Sequence, residues 1–365
     1  MRFLGRLAVL VLLAASSAFL FGHPVRWGEA ALMIWDIAAG GKPTWWQKVT
    51  DRPNEYPAHW ADGEGDVYSP PNTVSAAMVL VPGAAVLGRD EPRLQALART
   101  FARAGFVVVV PELPEVRRLA LSKHDADRVA SAMRQLRQWQ PNKPLGVAAV
   151  SYAVAPAVIA ALQVEPQFIV GVGGYHDAEA AIRFVTTGAF RPIGDPRQHM
   201  VAPNRYGRWA FLLPNAGRLD DPDDAAALQT IATTRWRDPD ADVSAVAERM
   251  GPDGKAVLAL VENRDPDAVT RLISALPERV RREIDGLNLA LYDLSKLRCH
   301  LILVHGRGDP LVPYSESQAL AAAAPNARVS LFLVDDLGHV DFNAVTIANA
   351  WTMWSAVDSL LSERR

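Results

Sequence analysis

The stretch that decides the fold is Leu145-Gly146-Val147-Ala148-Ala149-Val150-Ser151-Tyr152-Ala153, continued by Val154-Ala155-Pro156-Ala157. Leu145 to Val150 is an apolar run of strand length, and Ala153 to Leu162 is a small-residue helix pattern. Ser151 sits where one gives way to the other. Such a strand-to-helix turn exposes the hydroxyl of its central residue above the sheet when small neighbours let the backbone fold sharply. Ala149-Val150-Ser151-Tyr152-Ala153 is a relaxed form of that G-x-S-x-G turn. Taken alone, the serine reads more readily as an ordinary helix N-cap.

Two downstream segments add the groups that a nucleophilic serine requires. The strand-like run from His300 enters a Gly-rich loop, His305-Gly306-Arg307-Gly308-Asp309-Pro310, whose one carboxylate is Asp309. A further apolar strand, Val329 to Val334, exits into Asp335-Asp336-Leu337-Gly338-His339-Val340-Asp341, which carries one histidine. A serine hydroxyl is a poor nucleophile at neutral pH. An imidazole must take its proton, and a carboxylate must hold that imidazole's tautomer and stabilise its charged form. Ser151, Asp309 and His339 are the candidates for these roles, and they follow in the chain order Ser, Asp, His.

From about Asp66 to the C-terminus the chain resembles the α/β-hydrolase superfamily of serine esterase and lipase type. The sequence at 305–314 looks like its acid loop, and Leu337-Gly338-His339 like its histidine loop. The departure is at the turn, where Ala149 and Ala153 stand in place of two glycines. The resemblance implies an α/β fold, with a mostly parallel central sheet, flanking helices and an inserted helical cap. The same reasoning places an oxyanion hole at the backbone N–H of Tyr152 and at a second N–H in the loop after the strand Ala76 to Val81. In that loop, Pro82-Gly83-Ala84-Ala85, Ala84 is the candidate donor. Pro82-Gly83 also reads as a plain turn.

The rest of the body alternates strand and helix, as a parallel sheet with crossovers demands. Tyr56 to Tyr68, broken at Asp62-Gly63-Glu64-Gly65, predicts a hairpin. Leu94, Leu97, Ala98 and Phe101 recur at helical spacing behind Asp90 as N-cap, and Gly105 ends that helix. His124 to Leu136 predicts another helix. The strand Gln167 to Val172 runs into Gly173-Gly174-Tyr175-His176-Asp177 at the ligand-binding edge of the sheet. His176 and Asp177 are candidate pocket residues, and Asp177 is an alternative acid to Asp309. From 178 to 297 the alternation stops and helical patterns dominate, broken at Asp221-Pro222, Asp238-Pro239, Gly251-Pro252 and Asp265-Pro266. Within this stretch, Glu278 to Asp285 reads as a solvated helix face. The division expected is a leader or anchor at 1–22, a helical, aromatic linker at 23–55, the body at 56–177 and 298–365, and the cap at 178–297.

A chain of 365 residues with 50% hydrophobic content can bury a full α/β core and still build a cap. The net charge of −2 argues against a nucleic-acid partner. Cys299 is the one cysteine, which rules out a disulfide within the chain and cysteine-based metal sites. No phosphate-binding loop or H-E-x-x-H motif occurs, so neither cofactor nor metal is expected. Arg2 and Arg6 precede 16 uncharged residues, Leu7 to Gly22, which read as a signal peptide or an uncleaved transmembrane anchor. Either predicts export, with the catalytic part outside the cytoplasm, periplasmic in a bacterium. The Trp-rich stretch Trp27 to Trp46 suits a membrane edge or a helix packed on the body. The function expected is a serine hydrolase cleaving small-molecule carboxylic esters through an acyl-enzyme on Ser151. An acyltransferase or a peptidase could use the same triad. From another class, the two turn alanines are compatible with a non-catalytic, membrane-associated binding protein on the same fold.

Overall fold

The computed structural model describes residues 24–364 except 84, 119, 121, 336, 337 and 339–346. Ala84, His339 and the segment 1–22 therefore lie outside the described residues. Among the described residues no helix is long and apolar enough to cross a membrane.

The hairpin forms as β1 (Asn54–Trp60) and β2 (Gly63–Ser69), turning at Ala61-Asp62. Next come β3 (Ala76–Val81), β4 (Phe106–Pro111), β5 (Leu145–Val150) and β6 (Phe168–Val172). After a long insertion holding the short ribbon β7 (Ala189–Phe190) and β8 (His199–Met200), β9 (His300–Gly306) and β10 (Arg328–Val334) complete the sheet. Its order is β1-β2-β4-β3-β5-β6-β9-β10. β2 runs antiparallel to both of its neighbours, and every other adjacent pair in this sheet is parallel.

β3, β4 and β9 are buried at every position, because helices cover both faces of the sheet. Alternate side chains divide between two cores. Val79, Val81, Val147 and Leu303 pack with helices His124–Trp139 and Val154–Val164. Met78, Leu80, Phe106 and Ile302 face helices Pro24–Ala39, Pro92–Arg103 and Ile347–Leu361. The cap of Asp90 shifts by one residue. Glu91 is the N-cap, without a side-chain bond, Pro92 opens the helix, and Asp90 belongs to the preceding 3-10 turn.

Of the two roles open to the stretch Trp27 to Trp46, the helices Pro24–Ala39 and Trp45–Val49 take the packed one, against the body. Trp27, Ala30, Met33 and Ile34 are buried in the second core, and Trp27 meets Trp354 edge-on at 5.6 Å. Asp36 is buried and accepts hydrogen bonds from Thr44, Gln47 and Thr100. Ion pairs Arg26–Asp358 and Arg364–Glu29, both at 2.6 Å, add a second tie. Partly exposed pairs contribute at most about 1 kcal/mol each, whereas burying a large apolar side chain contributes roughly 1.5–3 kcal/mol, so packing dominates. Trp46 is buried with this group, whereas Trp45 is exposed.

Between β6 and β9 the chain is mainly helical, with Ala178–Thr187, Gly207–Asn215, Pro222–Arg237, Pro252–Glu262 and Glu278–Gly286 as its longer helices. All four Pro breaks fall at element ends. Asp221, Gly251 and Asp265 are N-caps, and Asp238 is a C-cap. This insertion has small apolar clusters of its own, one centred on Trp209, Leu228 and Ile231 and another on Leu260, Val269 and Leu276.

Candidate active site

At the end of β5, Ser151 takes φ +56°, and a 3-10 turn Ser151–Ala153 leads into helix Val154–Val164. A residue with a Cβ enters this left-handed region at a cost of roughly 1–2 kcal/mol. Glu165 is the other described non-glycine residue with positive φ, and there a helix end explains it. Ser151 begins a helix rather than ending one, so ordinary capping does not account for its conformation. Strain of this kind clusters at functional turns. The two alanines fit: Ala149 and Ala153 are both buried, and Ala149 pairs with Gly171 on the adjacent strand. Glycine is required nearby at Gly174, where a Cβ would lie 2.4 Å from that of Val154, so the loop after β6 packs directly on the turn. Gly83, in the loop after β3, approaches Val150 so closely that its Cβ would stand 3.2 Å from that residue's carbonyl oxygen.

Because β5, β6, β9 and β10 run parallel, their exits share one edge of the sheet. Asp309 lies just beyond β9, buried, and its Oδ1 accepts N–H bonds from Leu311 at 2.8 Å and Val312 at 3.0 Å. His305, fully buried, braces this loop. Its Nε2 lies 3.0 Å from the Val312 carbonyl, so that nitrogen carries the proton and donates, while Nδ1 accepts from the Ser317 hydroxyl at 2.7 Å. Leu311 and Val312 share a cavity wall with Ser151. His339 follows β10 outside the described residues.

His176 and Asp177 belong to a different construction. Asp177 caps helix Ala178–Thr187 by accepting from Glu179 N–H at 2.9 Å, and also faces Asn288. The backbone N–H groups of His176 and Asp177 both donate to the buried Glu316 carboxylate. Burial pushes the Glu316 carboxyl up to about 7 and holds the His176 imidazole below its usual range. Tyr175 and Ala178 line the cavity; the two residues between them, expected in the pocket, do not.

Sequence reasoning did not find the clamp under the turn. The Tyr152 hydroxyl donates to Asp125 Oδ2 at 2.9 Å and accepts from Ser122 N–H at 2.9 Å. Asp125 is fully buried, its Oδ1 has no hydrogen-bond partner, and desolvation raises its carboxyl to about 6. The side chain that follows the serine is thereby tied to the helix His124–Trp139 beneath it. In sequence Asp125 reads as an ordinary acidic residue of a first helical turn.

Above Ser151 and Tyr152 opens a cavity of about 690 Å³, roofed by the inserted helices. Helix Glu278–Gly286, expected to be a solvated face, contributes Arg279, Val280, Glu283 and Ile284 to its wall. Arg218 reaches from the insertion to Glu115 of the body at 3.4 Å. Among the described residues no group of three His, Cys, Asp or Glu side chains could hold a metal ion.

The sheet order, its one reversed strand and the strained serine turn after the fifth strand define the α/β-hydrolase fold. Similar solved structures include the acylaminoacyl peptidase of Pyrococcus horikoshii (11% identity, TM-score 0.47, 87% of this chain and 41% of that one). Others are an α/β-hydrolase superfamily protein from Enterococcus faecalis (16%, 0.47, 85% and 99%) and a dienelactone hydrolase from Anabaena variabilis (13%, 0.44, 84% and 96%). The chain thus spans less than half the length of the peptidase. These likenesses are too distant to carry an activity or a substrate. No protein-family model and no curated protein matches the chain.

Proposed function

We propose that this protein is a serine hydrolase of carboxylic esters. The observation that carries the reading is the left-handed backbone of Ser151 at the end of β5, on the wall of a roofed cavity. Ser151 Oγ attacks the ester carbonyl carbon while the His339 imidazole takes its proton, and Asp309 holds that imidazole's tautomer. The oxyanion receives N–H bonds from Tyr152 and Ala84. The tetrahedral intermediate collapses, the C–O bond breaks, and the alcohol departs with the proton from the imidazolium. Water then gives its proton to the same imidazole and attacks the acyl-enzyme, releasing the carboxylic acid and restoring Ser151. A peptidase would use the same steps with an amine leaving group.

Hydrolysis of nitrophenyl butyrate, set against the matching anilide, tests this reading. Ester turnover should exceed anilide turnover, and Ser151→Ala should lower it on the order of 10⁴-fold or more with the fold intact by circular dichroism. Near-wild-type turnover in the variant would remove Ser151 from the chemistry. We also propose export, on the strength of Arg2 and Arg6 ahead of Leu7 to Gly22. A C-terminal alkaline phosphatase fusion should be active in a bacterial host, and an inactive one would refute export.

A further inference from the structure

The cavity above Ser151 has a chemistry that narrows the substrate. Its roof is aliphatic: Ile182, Leu212, Leu228, Val257, Leu260 and Ile284 come from five separate helices of the insertion. Several of the polar groups that interrupt it are already bonded to protein, and Arg208 lies over the Trp209 ring at 5.2 Å. The Thr186 hydroxyl donates to the Ile182 carbonyl of its own helix at 2.9 Å, and the Asn215 amide to the Phe211 carbonyl at 2.7 Å. Arg218 pairs with Glu115 at 3.4 Å and lies 3.9 Å from Glu283, and the Tyr152 hydroxyl is held by Asp125 and Ser122. A peptide or sugar entering here would lose water without regaining hydrogen bonds from these groups, a loss of the kind that excludes polar ligands. A hydrocarbon chain gives up no hydrogen bonds of its own on entering and gains the aliphatic contact.

We propose that this cavity is an acyl-chain site, and that the substrates are esters of medium- to long-chain aliphatic acids. The inference rests on the serine-hydrolase reading of Ser151. The acyl side is assigned because the alcohol must leave between the two half-reactions, whereas the acyl group stays tethered to Ser151 until water attacks, so a roofed cavity suits the part that remains. At roughly 30 Å³ per water-sized atom, the volume holds on the order of 20 non-hydrogen atoms, enough for an acyl chain of about ten carbons. Each added methylene buried should raise kcat/KM about fourfold.

The test is kcat/KM for nitrophenyl esters from acetate to decanoate, beside a series of alkyl acetates of the same lengths. The inference expects at least a hundredfold gain from butyrate to decanoate, no comparable gain along the alkyl acetates, and a tenfold or greater fall of the decanoate-to-butyrate ratio in Ile182→Trp. Labelling of Ser151 by a fluorophosphonate checks that the Trp variant keeps its site. Should the Trp variant fail to fold, Val257→Phe supplies the same comparison from another helix. A flat or falling acyl series in an enzyme that labels at Ser151 and hydrolyses butyrate would overturn the chain site and leave the hydrolase reading standing. A gain along the alkyl series instead would overturn the acyl assignment. Calorimetry of Ser151→Ala with decanoate and butyrate separates the remaining case: tight decanoate binding by a chain that hydrolyses no ester would sink the hydrolase reading and uphold the hydrocarbon site, and no preference for decanoate would sink both.

Discussion

The turn at Ser151 and the helical insertion above it are built on opposite plans. Helix Val154–Val164, which follows the turn, is buried over most of its length, β5 is hydrogen-bonded on both sides, and Gly174 and Gly83 press in at contact distances that leave no slack. The insertion rests on small separate clusters, its helix Glu278–Gly286 has no fully buried residue, and its apolar faces converge on a void. Dense packing fixes atoms to within fractions of an ångström, as a nucleophile needs. A loosely filled roof determines what fits rather than where a bond forms. Changes in the body should therefore act on turnover, and changes in the insertion on substrate preference.

The largest effect that separates the two acid candidates is expected from Asp309→Asn, which should lower ester turnover about 10⁴-fold by leaving the imidazole in the wrong tautomer. Asp177→Asn should leave turnover within a few-fold, since asparagine caps a helix as well as aspartate does. Steady-state kinetics of both variants decide this, and the reverse ranking would move the acid to the loop after β6.

Next in size is a pH effect where body and insertion meet. Burial raises the Glu316 carboxyl from 4.5 to about 7, so the folded state holds this proton more tightly than the unfolded chain. The group's contribution is fully present below about 4.5 and is lost as pH rises through about 7. Glu316→Gln keeps an acceptor for the His176 and Asp177 N–H groups without the charge. Relative to wild type, the variant should gain on the order of 2–3 kcal/mol between pH 4.5 and pH 8, read by urea denaturation at both values. An unchanged difference would show that Glu316 is not carrying this linkage.

The smallest pair contrasts one hydroxyl from each region. Tyr152→Phe strips a buried carboxylate and a backbone N–H of their partner and should destabilise by about 2–3 kcal/mol. Thr186→Val removes a hydroxyl that bonds only its own helix and should cost under about 1 kcal/mol. Equal losses in denaturant melts would erase the distinction between a clamped turn and a self-contained roof.

What was legible in the sequence follows the same division. β3, β5 and β9 are short apolar runs with strand partners on both sides, so their own composition states their burial. The four Pro breaks marked helix ends because proline fits only the first turn of a helix or the stretch beyond its end. Helix Pro24–Ala39 was ambiguous because a Trp-rich apolar helix has the same composition on a membrane edge or a protein core. Its partner Trp354 lies more than 300 residues away in the chain. Asp125 and Glu316 were invisible as buried acids because burial is set by the elements that fold over them. Helix Glu278–Gly286 alternates charges that hide Val280 and Ile284, and the void they face exists only once five helices assemble.

The central claim is that Ser151 is an activated nucleophile, and reaction of the folded chain with a fluorophosphonate followed by peptide mass mapping tests it most directly. A single adduct on Ser151 is expected, complete at one equivalent, absent from Ser151→Ala and from heat-denatured protein. An unlabelled Ser151 in the folded protein, or an adduct on another serine, would contradict it.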